Sequence, residues 1–325
     1  MKKVIFALAA VVALAACSKE QTVVADRGDA IGFDSFIENA TRVTGKEFTS
    51  VDSFQVWGTV QGNAMTSPMS LYSGALVERN GAADGAAFTC EEQTEYWIPS
   101  ATYNFVALAG HNGVTLANDM PATISYTANG TTDLIYTKEG ETVTTNPQSV
   151  PDNVINDVND NKCVAFNFNH LLSKVHFKFT NKSANNLCTY EISDIKIAGA
   201  KAEGTYSITE DKWTSVSGTA AALDFGTTGA TAIAQNASAT SDNARLLLPG
   251  ENQTLTVTFK QKFYFNGQLM SETPDDKPIT KSLTATFAPN GAYVINVNLQ
   301  AGSPITFTLD KLEGWGDADP IITIQ

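Results

Sequence analysis

The sequence has few of the features that mark catalytic, nucleic-acid-binding or membrane-spanning proteins. Its 325 residues include only three histidines and four cysteines. Acidic residues outnumber basic ones by 34 to 21, and the formal net charge of -13 argues against nucleic acid or anionic lipid as a partner. The apolar run at residues 4–16 is shorter than the roughly 20 residues that a membrane-spanning helix requires. These deficits favour an acidic, non-catalytic protein.

The histidines give no indication of an active site. None of His111, His170 and His176 belongs to an H-E-x-x-H, G-x-S-x-G or Cys/His metal motif. His176 alternates with apolar residues and is expected on the solvated side of a strand. His170, at the end of a strand, is expected to be a hydrogen-bonded structural residue. We therefore predict no enzymatic activity, no cofactor and no bound metal.

The first sixteen residues have the pattern of a secretory signal peptide. Lys2 and Lys3 precede the apolar run, which ends in small residues. The sequence before Cys17 resembles the lipobox of bacterial lipoproteins, in which cleavage precedes the cysteine and its thiol and new amine are acylated. More than one acyl chain is needed for stable anchoring, and this modification supplies them. Residues 1–16 are thus predicted to be a signal peptide, and Cys17 the lipidation site.

The other cysteines are not required as the main source of stability. If Cys17 is acylated, Cys90, Cys163 and Cys188 remain, so at least one of them has no disulfide partner within the chain. Cys163 and Cys188 flank a predicted hairpin. The sequence leaves open whether they pair or remain reduced.

The distribution of apolar residues predicts an all-β protein. Short runs of aromatic and β-branched residues are separated by Gly, Asn, Asp and Ser, and long helical periodicity is absent. Phe54 and Val56 alternate with Trp57, so both sides of that strand are expected to be covered, as in a β-sandwich.

The length of the chain is sufficient for about two domains. A polar stretch at residues 139–162 is long for a loop within one domain, and it is taken as the boundary. We therefore predict an N-terminal sandwich at residues 43–162 and a C-terminal sandwich at residues 163–325. Residues 204–239, which are rich in Thr, Ala and Gly, are expected to form surface loops.

The leader at residues 17–42 contains one predicted strand. It lies at residues 30–37, with Ile31 and Phe33 on the same face and Phe36 near its end. Two arginines flank it, Arg27 before and Arg42 after.

Taken together, these segments resemble the fimbrillins of the Bacteroidetes, a class of pilin exported as lipoproteins. The matching segments are Cys17, Ile31-x-Phe33, Ala40-Thr41-Arg42, Phe54-x-Val56-Trp57-Gly58, Tyr103-x-Phe105-x-Ala107, Phe168-x-His170-Leu171-Leu172-Ser173-Lys174-Val175 and Gly314-Trp315. The resemblance covers most of the chain, and the order of the segments is more specific than any one of them.

The resemblance implies two transthyretin-like β-sandwich domains in tandem and a fimbrial subunit of the outer membrane and cell surface. In that family an arginine-specific surface protease cuts the precursor, so that the lipid and the first strand leave together. A terminal strand of the next fimbrial subunit, which is another copy of the same chain or a tip or anchor pilin, then fills the groove. Carried over to this chain, the cut follows Arg42, with Arg27 as the second choice.

The strand that this chain would donate is expected in its tail. The candidate residues are Ile321, Ile322 and Ile324, aided by residues 305–309. The resemblance leaves open whether the chain is a stalk, tip or anchor subunit. The alternative is a non-polymerising surface lipoprotein that binds a glycan or a host protein.

Overall fold

A computed structural model describes residues 29–37, 53–79, 88–90, 93–110, 122–137, 141–156 and 162–312. Every regular element in these ranges is a β-strand, so the all-β prediction is confirmed. Within the same ranges there is no helix with the length and apolar character needed to cross a membrane.

Twenty-two strands are present in the described ranges. In chain order they are β1 (Gly32–Ile37), β2 (Ser53–Gly62), β3 (Met69–Arg79), β4 (Phe88–Thr89), β5 (Ala101–Ala109), β6 (Thr123–Thr127), β7 (Ile135–Tyr136), β8 (Glu141–Thr144), β9 (Ile155–Asn156), β10 (Lys162–His170), β11 (Ser173–Asn181), β12 (Cys188–Ala198), β13 (Glu203–Ser207), β14 (Lys212–Ser217), β15 (Leu223–Gly226), β16 (Ser238–Thr240), β17 (Arg245–Leu247), β18 (Gly250–Phe265), β19 (Gln268–Glu272), β20 (Ile279–Phe287), β21 (Gly291–Leu299) and β22 (Thr306–Leu312).

Nine of the ten strands from β1 to β10, which make up the first half of the chain, form one sheet that closes on itself; β6 is the exception. Its order is β1-β4-β3-β2-β5-β7-β10-β9, with β8 beside β5, and β1 also pairs with β10. Strand β1 pairs with β4 on one side and with β10 on the other. The strands on the path from β1 to β10 therefore form a closed ring, in which each strand has a neighbour on both sides. The first strand therefore completes the sheet and is not an accessory to it.

Alternation along the strands distributes side chains between two hydrophobic clusters. Phe54 and Val56 of β2 lie in the core enclosed by the first sheet, whereas Trp57 lies in a separate cluster on the opposite face. In β5, Phe105 belongs to the first cluster and Leu108 to the second. The prediction that both sides of β2 are covered is confirmed.

The first sheet extends further along the chain than the expected division at residues 162 and 163. Strand β10 pairs with β1, β7 and β9, all of them strands of the first half. Its inward residues Val164, Phe166 and Phe168 belong to the first core. The change from one sheet system to the next occurs at Leu171 and Leu172, in the short turn between β10 and β11. The hairpin predicted between Cys163 and Cys188, which consists of β10 and β11, is therefore split between the two halves.

The second half, from β11 onward, contains two larger sheets. One has the order β16-β11-β21-β22 with β17 beside β11, and the other has β15-β12-β18-β19 with β20 beside β18. One core cluster draws residues from both sheets, including Phe177 of β11 and Phe259 of β18. Strands β11 and β21 pair in parallel over the whole length of β11.

A third small sheet joins the two halves. Its order is β14-β13-β6, so a strand of the first half pairs with a hairpin of the second. Tyr126 and Tyr206 pack in the cluster beneath it, and the indole Nε1–H of Trp213 donates a hydrogen bond of 2.8 Å to the carbonyl oxygen of Leu171. Residues 204–239, expected as surface loops, therefore contain β14 and β15 and most of β13 and β16. The expectation was wrong because β13, β15 and β16 pair with β6, β12 and β11, which lie outside this weakly patterned segment.

One further expectation of the sequence is corrected, and one question that it left open is answered. His176 is 5% exposed, not solvated, because β11 is buried on both faces near its start. No disulfide joins Cys163 to Cys188, which lie in strands of different sheets.

His170 has the structural role expected for it. It ends β10, and its Nδ1 contacts the Oδ2 atom of Asp133, with both side chains buried. The other carboxylate oxygen of Asp133 accepts a hydrogen bond of 2.8 Å from the backbone N–H of Leu134. The pair fixes the end of β10 against the loop before β7.

Replacing His170 by glutamine is expected to lower the free energy of unfolding by about 1–3 kcal/mol, because a buried carboxylate loses a partner. Urea unfolding measures the loss. The double variant Asp133→Asn, His170→Gln is the control, since it removes the charge together with the imidazole. If it is no more stable than His170→Gln alone, the contact with Asp133 is not the cause.

Candidate functional site

The candidate site is the groove that holds residues 29–37, the first described segment of the chain. Strand β1 runs parallel to β10, with Gly32 opposite Cys163 and Ile37 opposite Phe168. On its other side Phe33 pairs with Phe88 of β4 in antiparallel fashion. Main-chain pairing on both sides is the arrangement of a central strand.

The residues just before β1 are held by a second backbone contact. The N–H of Ile31 donates to the carbonyl of Glu95 at 2.9 Å, and the N–H of Trp97 donates to the carbonyl of Asp29 at 3.1 Å. Ala30 and Tyr96 form an antiparallel bridge between these two hydrogen bonds. The groove therefore binds residues 29–37 through their backbone along nearly their whole length.

Phe33 fills the centre of the groove. Its side chain is 1% exposed and its ring meets those of Tyr72, Phe105 and Phe166 at centroid distances of 5.2, 5.9 and 5.7 Å. The contacts with Tyr72 and Phe105 are edge-to-face, a favoured geometry for aromatic pairs.

Ile31 lies on the same side of the segment as Phe33 and is also buried in the first core, so the predicted shared face is confirmed. Full burial of a large apolar side chain contributes about 1.5–3 kcal/mol. The groove without its strand would therefore expose a deep apolar surface beside unpaired backbone groups.

Gly32 faces away from the core and lies close to the neighbouring strand. A Cβ atom added at Gly32 would lie 2.6 Å from the Sγ of Cys163 and 3.3 Å from the carbonyl oxygen of Lys162. The residue between the two anchoring side chains is thus sterically restricted. This contact depends on register, and the sequence alone gave no indication of it.

Tyr72, which forms part of the Phe33 pocket, has a strongly shifted pKa. Burial is the main cause, and the nearby Cys90 and Glu95 add to it, so the pKa of Tyr72 is raised well above its usual value of 10.0. Burial likewise raises the pKa of Tyr136 to about 12. Both phenols therefore remain neutral in the folded protein above the pH at which they ionise in the unfolded chain.

Stability is expected to fall as the pH rises above about 10, the ordinary pKa of tyrosine. The contribution of a raised tyrosine pKa is fully present below the unfolded-state value and is lost as the pH approaches the folded-state value. Urea midpoints measured from pH 8 to pH 11.5 test this. Tyr72→Phe removes one of these groups and should lose less stability over that range than the unmodified chain. An equal loss in both proteins would exclude Tyr72 as a source.

Strand β22 lies at the other end of the described chain, at the edge of its sheet. It pairs with β21 in antiparallel fashion, with Ala292 opposite Leu312 and Asn298 opposite Thr306. Phe307 and Leu309 pack against the core of the second half. No described strand pairs with its other side. Most of the segment at residues 305–309 is therefore already paired within its own sheet.

Several predicted site residues lie outside the described residues. They are the lipidation site Cys17, the two candidate cleavage sites Arg27 and Arg42, the tail residues Ile321, Ile322 and Ile324, and the side chain of Phe36. The backbone of Phe36 is described and pairs with Asn167. Within the described ranges, the structure brings together Ile31, Phe33 and their groove.

The described part of the chain contains no cluster of three or more His, Cys, Asp or Glu side chains with the geometry of a metal site. What the groove offers is an apolar slot, with backbone donors and acceptors on both of its sides. Such a site recognises an extended peptide.

Comparison with protein families gives one match that covers most of the chain. The family described as fimbrillin-like matches residues 41–315. A search of curated proteins gives no match.

Solved structures from two Bacteroides species are similar in fold. A candidate cell adhesion protein from Bacteroides ovatus superposes with a TM-score of 0.56 at 15% identity, over 90% of this chain and 99% of its own. A fimbrial protein from Bacteroides vulgatus gives a TM-score of 0.52 at 14% identity, over 89% of this chain and all of its own.

Proposed function

Since this chain belongs to the fimbrillin-like family, we propose that it is a structural subunit of a surface fimbrium, exported as a lipoprotein and assembled by replacement of its first strand. The single observation that carries the proposal is the position of β1, which is central in its sheet and near the start of the chain. Family membership supports a pilus or adhesion role at the cell surface and contacts with other fimbrial subunits.

Because β1 lies near the start of the chain, a single cut can separate it from the rest of the sheet. Strand β1 ends at Ile37 and β2 begins at Ser53, so a cut after Arg42 separates β1 from the rest of the sheet. A cut after Arg27 leaves β1 attached. Lipid on Cys17 would leave with the same fragment, so one cleavage by an arginine-specific surface protease both frees the subunit from the outer membrane and opens the groove.

An open groove favours a replacement strand. Loss of Ile31 and Phe33 uncovers apolar surface, and loss of β1 leaves unpaired backbone groups on β10 and β4. A strand donated by another subunit supplies both kinds of contact. A head-to-tail contact of this type does not close on itself and therefore extends into a fibre. Residues 321–324 are the segment that we propose this chain donates.

A second role follows if the first strand stays in place. Cys17 and β1 belong to the same leader, so an uncut chain keeps both its lipid and a filled groove. Such a chain would be a fimbrial anchor or a non-polymerising surface lipoprotein that binds a glycan or a host protein.

The N-terminal mass of the protein recovered from the cell surface tests the proposal. A chain that begins at Val43 is the expected result, since it has lost β1 and its lipid. A chain that begins at acylated Cys17 would overturn the polymerising role and leave the anchor or binding role.

A further inference from the structure

We propose that the groove selects a strand with glycine between its two inward-facing apolar residues, and that Cys163 is the residue that imposes this choice. The inference rests on the proposed replacement of β1 by another strand. It concerns which strands the groove accepts.

The selection arises on the outward side of β1. Ile31 and Phe33 face the core, so the residue between them faces the other way, and the register places it directly opposite Cys163. Cys163 is 1% exposed, and its Sγ would lie only 2.6 Å from a Cβ at position 32. Real Cβ atoms are essentially never so close to another heavy atom.

The backbone carbonyl oxygen of Lys162 also limits the space for a side chain at position 32. It would lie 3.3 Å from the added Cβ, and as a backbone atom of a paired strand it cannot rotate away. Relief must therefore come from movement of the thiol or of the whole incoming strand. Extra atoms in a packed site are unfavourable for this reason.

The sequence of this chain meets the requirement at one place only. Ile31-Gly32-Phe33 is the single point at which a glycine lies between two large apolar residues. In the tail, Thr323 lies between Ile322 and Ile324, and at the start of β22 Thr306 lies between Ile305 and Phe307. This holds in either strand direction, because the middle residue of three always faces opposite to its neighbours.

The selection has a consequence for assembly. A second copy of this chain that offered its tail would place Thr323 against Cys163. The groove is therefore expected to prefer a strand of a different subunit, one with an apolar residue, glycine and an aromatic residue in succession. The tail of this chain would then serve the groove of another subunit, and growth would alternate between unlike chains.

Peptide exchange tests the selection in the full chain. A site for a specific protease is placed between β1 and β2, the chain is nicked, and labelled peptides compete with the nicked strand. The peptides are residues 29–37, the same peptide with Gly32→Thr, residues 318–325, and that tail peptide with Thr323→Gly. Each glycine peptide is expected to bind at least about tenfold more tightly than its threonine counterpart, and Cys163→Ala should reduce that ratio to about threefold or less.

A second measurement tests the steric contact without any exchange. In the uncut chain, Gly32→Ala is expected to lower the urea midpoint, although alanine is ordinarily better than glycine inside a strand. In a Cys163→Ala background the same change should be neutral or stabilising. Cys188→Ala, a buried thiol of the second half, is the matched control and should give no rescue.

The outcomes separate the two proposals. Equal binding of the glycine and threonine peptides, or a Gly32→Ala chain as stable as the original, overturns the selection by Cys163. If no peptide exchanges while Gly32→Ala is destabilising and is rescued by Cys163→Ala, the selection holds for β1 and the replacement of β1 is what fails.

Discussion

Replacing Phe33 by alanine is expected to lower the free energy of unfolding by about 3–5 kcal/mol, the usual loss when a buried phenylalanine is truncated. The ring lies among Tyr72, Phe105 and Phe166, which belong to three different strands of the closed sheet. Those strands are fixed by their own pairing, so they cannot move in to fill the space. Urea unfolding of the uncut chain measures the loss.

Phe307→Ala is the matched control for this change. Phe307 is only partly buried on the edge strand β22, so its truncation should cost clearly less than that of Phe33. A loss below about 1 kcal/mol for Phe33→Ala would mean that the pocket collapses around the smaller side chain. In that case β1 would contribute little to the sheet, and its removal would not leave a groove that favours another strand.

The strand content of this chain follows largely from local patterns. Alternation of Phe54 and Val56 with Trp57 indicates a strand covered on both sides, and the structure places these residues in two different clusters. The common face of Ile31 and Phe33 follows from the same period of two. Such features depend only on neighbours in sequence.

The partners of the strands are not local, and this is where sequence reasoning fails. Strand β1 pairs in parallel with β10, more than a hundred residues away, and nothing in either segment specifies the other. Strand β13 pairs with β6 of the opposite half, which gives structure to a segment of weak pattern. The contact between Gly32 and Cys163 depends on the register of β1 against β10, so nothing in the sequence distinguishes either residue.

Replacing Arg42 by alanine is expected to abolish polymer formation and to leave a lipid-anchored monomer. The physical reason is that β1 remains covalently attached, and an attached strand occupies its groove at a high effective concentration that a strand from another molecule does not match. The measurement is the size distribution of the protein extracted from the cell surface with detergent, together with the mass of its N-terminus.

Arg27→Ala is the matched control for Arg42→Ala, since it removes the other arginine of the leader and keeps the cut that frees β1. It should polymerise as the unmodified chain does. Recovery of polymers of normal length from the Arg42→Ala variant, with β1 retained, would contradict assembly by strand replacement. Polymers from Arg42→Ala that begin after another residue between β1 and β2 would instead move the cut while preserving the mechanism, because any break between Ile37 and Ser53 separates the same strand from the sheet.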